Sequence, residues 1–147
     1  MTEALEVREL EAGEEGLAAA ALLELRPHLE DEASVVEQAR AQRADGYRIV
    51  ASFDPGERGA GGAAGFRIGV NLAWGRHLYV DDLSTRAQSR GRGHAGALMR
   101  WLEAEARRAG CAELHLDSGT GPERQDAHRL YFNQRLRITS HHFAREL

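Results

Sequence analysis

Apolar and polar positions alternate over residues 4–10, where Leu5 and Val7 stand against Glu6 and Arg8, and this period of two predicts a short first strand. The period then lengthens. Leu17, Ala21 and Leu25 fall on one side of a helix over residues 14–25, and Val35, Val36 and Ala39 on one side of a second over 32–44, with Pro27 between them. Residues 47–53 are rich in strand formers and stop at Asp54-Pro55-Gly56. A flexible connection over residues 59–62 leads into a strand over 64–72, antiparallel to the one before it. Another strand over residues 77–84 is followed by a loop at 85–89. The clearest helix spans residues 91–109, where Ala95, Leu98, Met99, Leu102 and Ala106 keep helical spacing and Gly110 supplies the stop. Residues 112–116 read as a buried strand, 122–134 as a short helix and 136–146 as a terminal strand. The order β-α-α-β-β-β-α-β-α-β is that of a mixed α/β (α+β) protein, with one domain over residues 1–147.

Composition narrows the function. At 147 residues, 42% hydrophobic and 29% charged, the chain supports one core. The longest apolar run, residues 17–23, ends at Glu24 and is far too short to cross a membrane. The acidic start lacks the basic flank and apolar centre of an export signal, so the cytoplasm is the expected location. A lone Cys111 makes neither an internal disulfide nor a thiolate metal site. All 19 basic side chains are arginine, which rules out any mechanism that needs a lysine of the protein's own. Residues 1–37 hold 11 acids against 2 arginines, whereas residues 38–147 hold 17 arginines against 12 acids. The net charge of −4 disfavours a general grip on nucleic acid but leaves room for a local anion site.

Such a site is suggested by Arg90-Gly91-Arg92-Gly93-His94-Ala95-Gly96, which stands between a predicted strand and the strongest helix. A helix entry presents unpaired N–H groups and a partial positive charge, small residues let a phosphate approach the backbone, and Arg90 and Arg92 add full charges. Gly91, Gly93 and Gly96 also spell the G-x-G-x-x-G of dinucleotide-binding folds, so an NAD(P)-dependent reductase is an alternative. Against it, a loop separates the glycines from the strand, and too little chain follows Asp117 to complete a doubly wound sheet.

The segment Arg90-x-x-Gly93-x-Ala95 resembles the R/Q-x-x-G-x-G/A signature of the GNAT superfamily of N-acetyltransferases, and Ala127-His128-Arg129-Leu130-Tyr131 is similar to its later A-x-x-x-Y helix. The resemblance implies a mostly antiparallel central sheet with about four flanking helices and acetyl-CoA as co-substrate. It implies that Arg90, Gly91, Arg92, Gly93, His94, Ala95 and Gly96 hold the pyrophosphate. The pantetheine arm would pair with the backbone of Leu83, Ser84 and Thr85 like an added strand. Arg124 stands where many relatives carry asparagine, and Gln134-Arg135-Leu136-Arg137-Ile138 replaces a K-x-G-F-like ending.

Acetyl transfer to an amine requires the nitrogen to lose a proton, and Asp81 and Asp82 lie on the strand leading to the cofactor. Strand alternation turns at most one of them toward substrate, and Asp81, sharing a face with Tyr79 and Leu83, is the preferred base or water-relay anchor. Both could instead bind arginines. Tyr131 is the candidate donor to the departing thiolate, with packing of its ring in the core as the other reading. Cys111, at a helix-to-strand junction, suits a small buried residue better than a covalent nucleophile, which favours direct transfer. No histidine pattern has metal-ligand spacing, and His141 and His142 would face opposite ways on a strand. The cluster Glu30, Asp31 and Glu32 suggests a cationic acceptor, or simply a solvated helix end. The expectation is thus a transferase acting on an amine of a small molecule or peptide, compatible with a homodimer. A catalytically silent acyl-CoA-binding module is the other alternative.

Overall fold

The computed structural model describes residues 4–147; residues 1–3, part of the acidic start, lie outside them. The chain divides into two compact units, Met1–His115 and Leu116–Leu147.

Within the first unit the elements run β1 (Glu6–Glu9), α1 (Ala19–Leu25), α2 (Glu32–Gln42), β2 (Arg48–Phe53), β3 (Gly62–Asn71), β4 (Gly75–Thr85) and α3 (His94–Arg108). The edge strand β5 (Glu113–Leu116) ends at the division. Strand order in the sheet is β1-β2-β3-β4-β5, and β1–β2, β2–β3 and β3–β4 are antiparallel. The α/β class holds.

Because successive strand residues point to opposite sides, the register defines two faces. Ile49, Ala51, Phe53 and Ala63 share a core with Ala18, Ala21 and Leu22 around α1 and with Val35 and Ala39 of α2. On the other side lie Val50, Ala64, Phe66, Leu78 and Val80, with Leu98, Met99 and Leu102 of α3 also buried. Trp101 meets Phe66 edge-on at 5.7 Å between ring centres. Each fully buried leucine on that stripe stabilises the fold by about 1.5–3 kcal/mol, which explains why helical spacing reveals α3 so clearly.

Polar side chains set the boundaries. Asp31 caps α2 by accepting the Ser34 N–H at 2.8 Å, so this member of the acidic cluster has a structural role. α1 starts later than expected, because Glu15 sits in a 3₁₀ turn (Glu15–Leu17) and takes the Gly13 N–H at 2.8 Å. Glu105 of α3 is held by Arg48 of β2 at 2.6 Å and by Arg108 at 2.7 Å. The Arg108 bond, followed by those of Arg48, overcomes burial and pulls the Glu105 carboxyl down to about 2.

The second unit contains a 3₁₀ turn (Pro122–Arg124) and α4 (Gln125–Asn133). The helix ends where Arg135 takes a positive φ of 66°, with Leu136 N–H donating to Tyr131 O and Arg135 N–H to Phe132 O, a Schellman arrangement without glycine. The expected terminal strand over residues 136–146 does not form: these residues join no ladder, and Ile138 and Phe143 are exposed. Alternation marks which side a strand would bury, but a strand exists only where an edge accepts its hydrogen bonds. Among the described residues, no helix is long and apolar enough to cross a membrane.

Candidate active site

The glycine-rich turn adopts the backbone its composition demands. Gly91 and Gly93 have φ of 77° and 88°, values that glycine takes without cost, and α3 begins at His94. The first intrahelical bond across this entry runs from Ala97 N–H to Gly93 O at 3.0 Å. The N–H groups of His94, Ala95 and Gly96 precede that bond and so have no acceptor within the helix. A Cβ added at Gly91 or Gly93 would meet nothing within 4 Å, so the turn faces open space. Arg90 is exposed, and a nitrogen of Arg100 lies 3.3 Å from where a Gly96 Cβ would stand. The first N–H groups of the helix, an open glycine-rich backbone and nearby guanidinium groups together form an arrangement that can hold a diphosphate.

Two residues of the turn behave differently from the rest. The His94 side chain points inward and is 1% exposed, so only its main chain can reach an anion. Its Nε2 donates to Asp54 Oδ1 at 2.9 Å and its Nδ1 lies 2.7 Å from Ser52 Oγ. Arg92 also leans on Asp54, at 3.2 Å.

The connection over residues 59–62 is less free than its composition suggests. Gly62 already belongs to β3, and a Cβ on Gly61 would come within 2.7 Å of the His94 ring.

On β4 the register shifts between Gly65 and Phe66: Gly65 pairs with Asp82 and Phe66 with Val80, leaving Asp81 as the extra residue of a β-bulge. Asp82 therefore shares the face of Gly65, Arg67 and Tyr79. Asp81 reaches the same face, since its oxygens accept from Arg67 at 2.8 and 2.7 Å. The expectation that only one of the two could point there is thus corrected. Leu83, paired with Ala64, lies on the opposite face from Asp81.

Both carboxylates have arginine partners. Asp82 accepts from Arg26 Nε at 2.9 Å and from the Tyr47 hydroxyl at 2.8 Å. Burial, then the Asp82 charge, raises the Tyr47 hydroxyl far above the ordinary phenol value, so it stays a donor. The Tyr47 ring passes directly over Gly65, where a Cβ would overlap its oxygen.

Leu83, Ser84 and Thr85 pair with Ala64, Ala63 and Gly62 on the β3 side. The Ser84 hydroxyl is spent on Ala21 O at 2.7 Å, so only its backbone remains for a ligand. The chain enters β5 beside Arg76, where Ala112 N–H donates to Arg76 O at 2.8 Å. A four-residue strand extends about 13 Å, whereas Leu83 lies seven residues from Arg76, roughly 23 Å along β4. β5 therefore stops short of the Leu83–Thr85 backbone.

Tyr131 belongs to the second unit and is buried. Burial raises its hydroxyl above the usual phenol value, while Arg124 beside it pulls the other way. The arginine that departs from the expected asparagine thus has a partner in Tyr131.

Asp54, Ser52, Ser89, Tyr47, Arg26 and Arg67 escaped sequence reasoning. The turn Asp54-Pro55-Gly56 reads as a strand stop, and nothing local marks its first residue as a partner for a helix entry 40 positions later.

These features define a mixed α/β fold with an open glycine-rich helix entry, and comparison with known proteins identifies the family. The Acetyltransferase (GNAT) family profile matches residues 8–135, and the chain belongs to that family. An uncharacterized N-acetyltransferase of Bacillus subtilis (strain 168) is 39% identical over 62 residues, a stretch covering 42% of each chain. Ribosomal-protein-alanine N-acetyltransferase from Brucella melitensis biovar Abortus 2308 superposes with a TM-score of 0.81, covering 98% of this chain and 99% of the other at 20% identity. AAC(6′)-Iy in complex with the bisubstrate analogue CoA-S-monomethyl-acetylneamine gives 0.76, covering 99% of each chain at 19% identity. The dinucleotide reading finds no support in this sheet, whose first four strands are joined antiparallel in sequence order.

Proposed function

We propose that the chain is an acetyl-CoA-dependent N-acetyltransferase that moves the acetyl group directly to an amine of a small molecule or peptide. The observation that carries this reading is the glycine-rich entry of α3, where the first N–H groups of the helix have no acceptor within it and Gly91 and Gly93 face open space. These donors, with Arg90, hold the diphosphate. The Leu83–Thr85 backbone takes the pantetheine amides as a neighbouring strand would, which orients the thioester along β4.

In the chemical step the amine nitrogen bonds to the thioester carbonyl carbon, and the carbon–sulfur bond then breaks. An alkylamine is largely protonated at neutral pH, so a proton must leave before attack. Asp81 and Asp82 both spend oxygens on arginine donors, which suits them to anchor a water that carries this proton away. Tyr131 supplies the proton, or a hydrogen bond, to the departing thiolate; burial keeps its hydroxyl protonated for that task.

Purified protein incubated with acetyl-CoA and a panel of amines, with free thiol detected, tests the proposal. Thiol release that depends on one amine class supports it. Calorimetry in which NADPH binds and acetyl-CoA does not overturns it.

A further inference from the structure

Beneath the glycine-rich turn lies a polar cluster that takes no part in the mechanism above. Asp54 follows the last residue of β2 and is 6% exposed; Ser52, Ser89 and His94 are 0%, 2% and 1% exposed. Asp54 Oδ2 accepts from Ser89 Oγ at 2.9 Å, and Oδ1 accepts from His94 Nε2 at 2.9 Å and lies 3.2 Å from Arg92 Nη1. One carboxylate thus holds the beginning, the middle and the end of the turn that leads into α3.

Burial pushes the Asp54 carboxyl up, yet the bonds from His94, Ser89 and Arg92 overcome it and hold it below the usual carboxylate value. The surroundings are shaped for this contact: a Cβ on Gly61 would stand 2.8 Å from Asp54 Oδ2, and one on Gly62 2.8 Å from Ser52 Oγ. Ser52, His94 and Asp54 are the residue types of a hydrolytic triad, but a serine with no exposed surface meets no substrate. The cluster serves the turn.

We infer that Asp54 is a positioning residue for the cofactor's diphosphate, fixing the conformation of residues 89–94 through Ser89, Arg92 and His94 so that the N–H groups converge before ligand arrives. This rests on the acetyltransferase reading. Donors fixed in advance bind an anion more tightly than donors that must be ordered on binding. The effect is confined to the part of the cofactor that touches the turn.

The test is a set of NMR and calorimetric titrations of wild type, Asp54→Asn and Ser89→Ala with coenzyme A and, separately, with pantetheine, which lacks the diphosphate. Ser89→Ala removes a single hydrogen bond and keeps the test open if Asp54→Asn fails to fold. Folded variants should bind coenzyme A roughly 10- to 100-fold more weakly, Asp54→Asn more so than Ser89→Ala, with pantetheine affinity unchanged. Parallel weakening for both ligands, or unchanged coenzyme A affinity in both variants, overturns the inference and leaves the acetyltransferase reading standing. A wild-type chain that binds no coenzyme A overturns both.

Discussion

Substitution at Gly93 separates two contributions that the turn combines. The residue has φ 88° and ψ 13°, and a Cβ there points into open space, so any side chain meets backbone strain but no clash. That strain costs about 1–2 kcal/mol whatever the side chain, equivalent to roughly 3–6 °C of melting temperature for a chain of this size. Charge then distinguishes the variants. A glutamate carboxylate about 5 Å from a diphosphate of roughly two charges meets a repulsion of about 7 kcal/mol at an effective dielectric constant of about 20. Side-chain mobility and salt reduce this severalfold, so Gly93→Glu should still bind coenzyme A roughly 100-fold more weakly than Gly93→Ala. Gly93→Arg carries the same strain with the opposite charge and should bind at least as well as Gly93→Ala. Calorimetric titration at low salt, alongside thermal melts, measures both quantities. Glutamate and arginine variants agreeing within about threefold in affinity, with equal melting temperatures, would refute a diphosphate at this position.

Three further outcomes follow from other parts of the molecule. Gly65→Ala places a methyl group on the Tyr47 ring and displaces it from Asp82, costing about 1–3 kcal/mol and roughly 3–10 °C of melting temperature; a melt indistinguishable from wild type contradicts that packing. Tyr131→Phe should lower kcat roughly 100-fold while leaving coenzyme A affinity intact, and a fully active variant removes the hydroxyl from the reaction. Glu105 has its carboxyl lowered from 4.5 to about 2, so its ionised form stabilises the fold above pH 4.5 and that contribution disappears as pH falls toward 2. Glu105→Gln should therefore be less stable than wild type at pH 7, with the gap closing across that acid range; a gap that stays constant would show that the ion pairs contribute nothing.

Much of this architecture was legible in the residues. α3 announces itself because its buried stripe has no competing signal, and the turn before it because positive φ at two positions admits glycine readily. The polar links were hidden for a common reason: Ser52, Asp54, Ser89 and His94 meet through space, and no periodicity records a partner 40 residues away. The faces of Asp81 and Asp82 were misjudged because alternation assumes an uninterrupted ladder, and Asp81 breaks it. Residues 136–146 carry a strand's alternation without the neighbouring edge that would make it one.

The extra residue at position 81 has a consequence confined to the bulge. Two residues of β4 stand there opposite one of β3, so the surplus is absorbed locally and Leu83–Thr85 keep the pairing an uninterrupted ladder would give them. Excising Asp81 would restore plain alternation through Val80, Asp82, Leu83 and Ser84, leaving the Ser84 hydroxyl on Ala21 and removing only the carboxylate that holds Arg67. One residue more or fewer thus decides how many carboxylates that side of the strand carries, while its main-chain edge stays as it is.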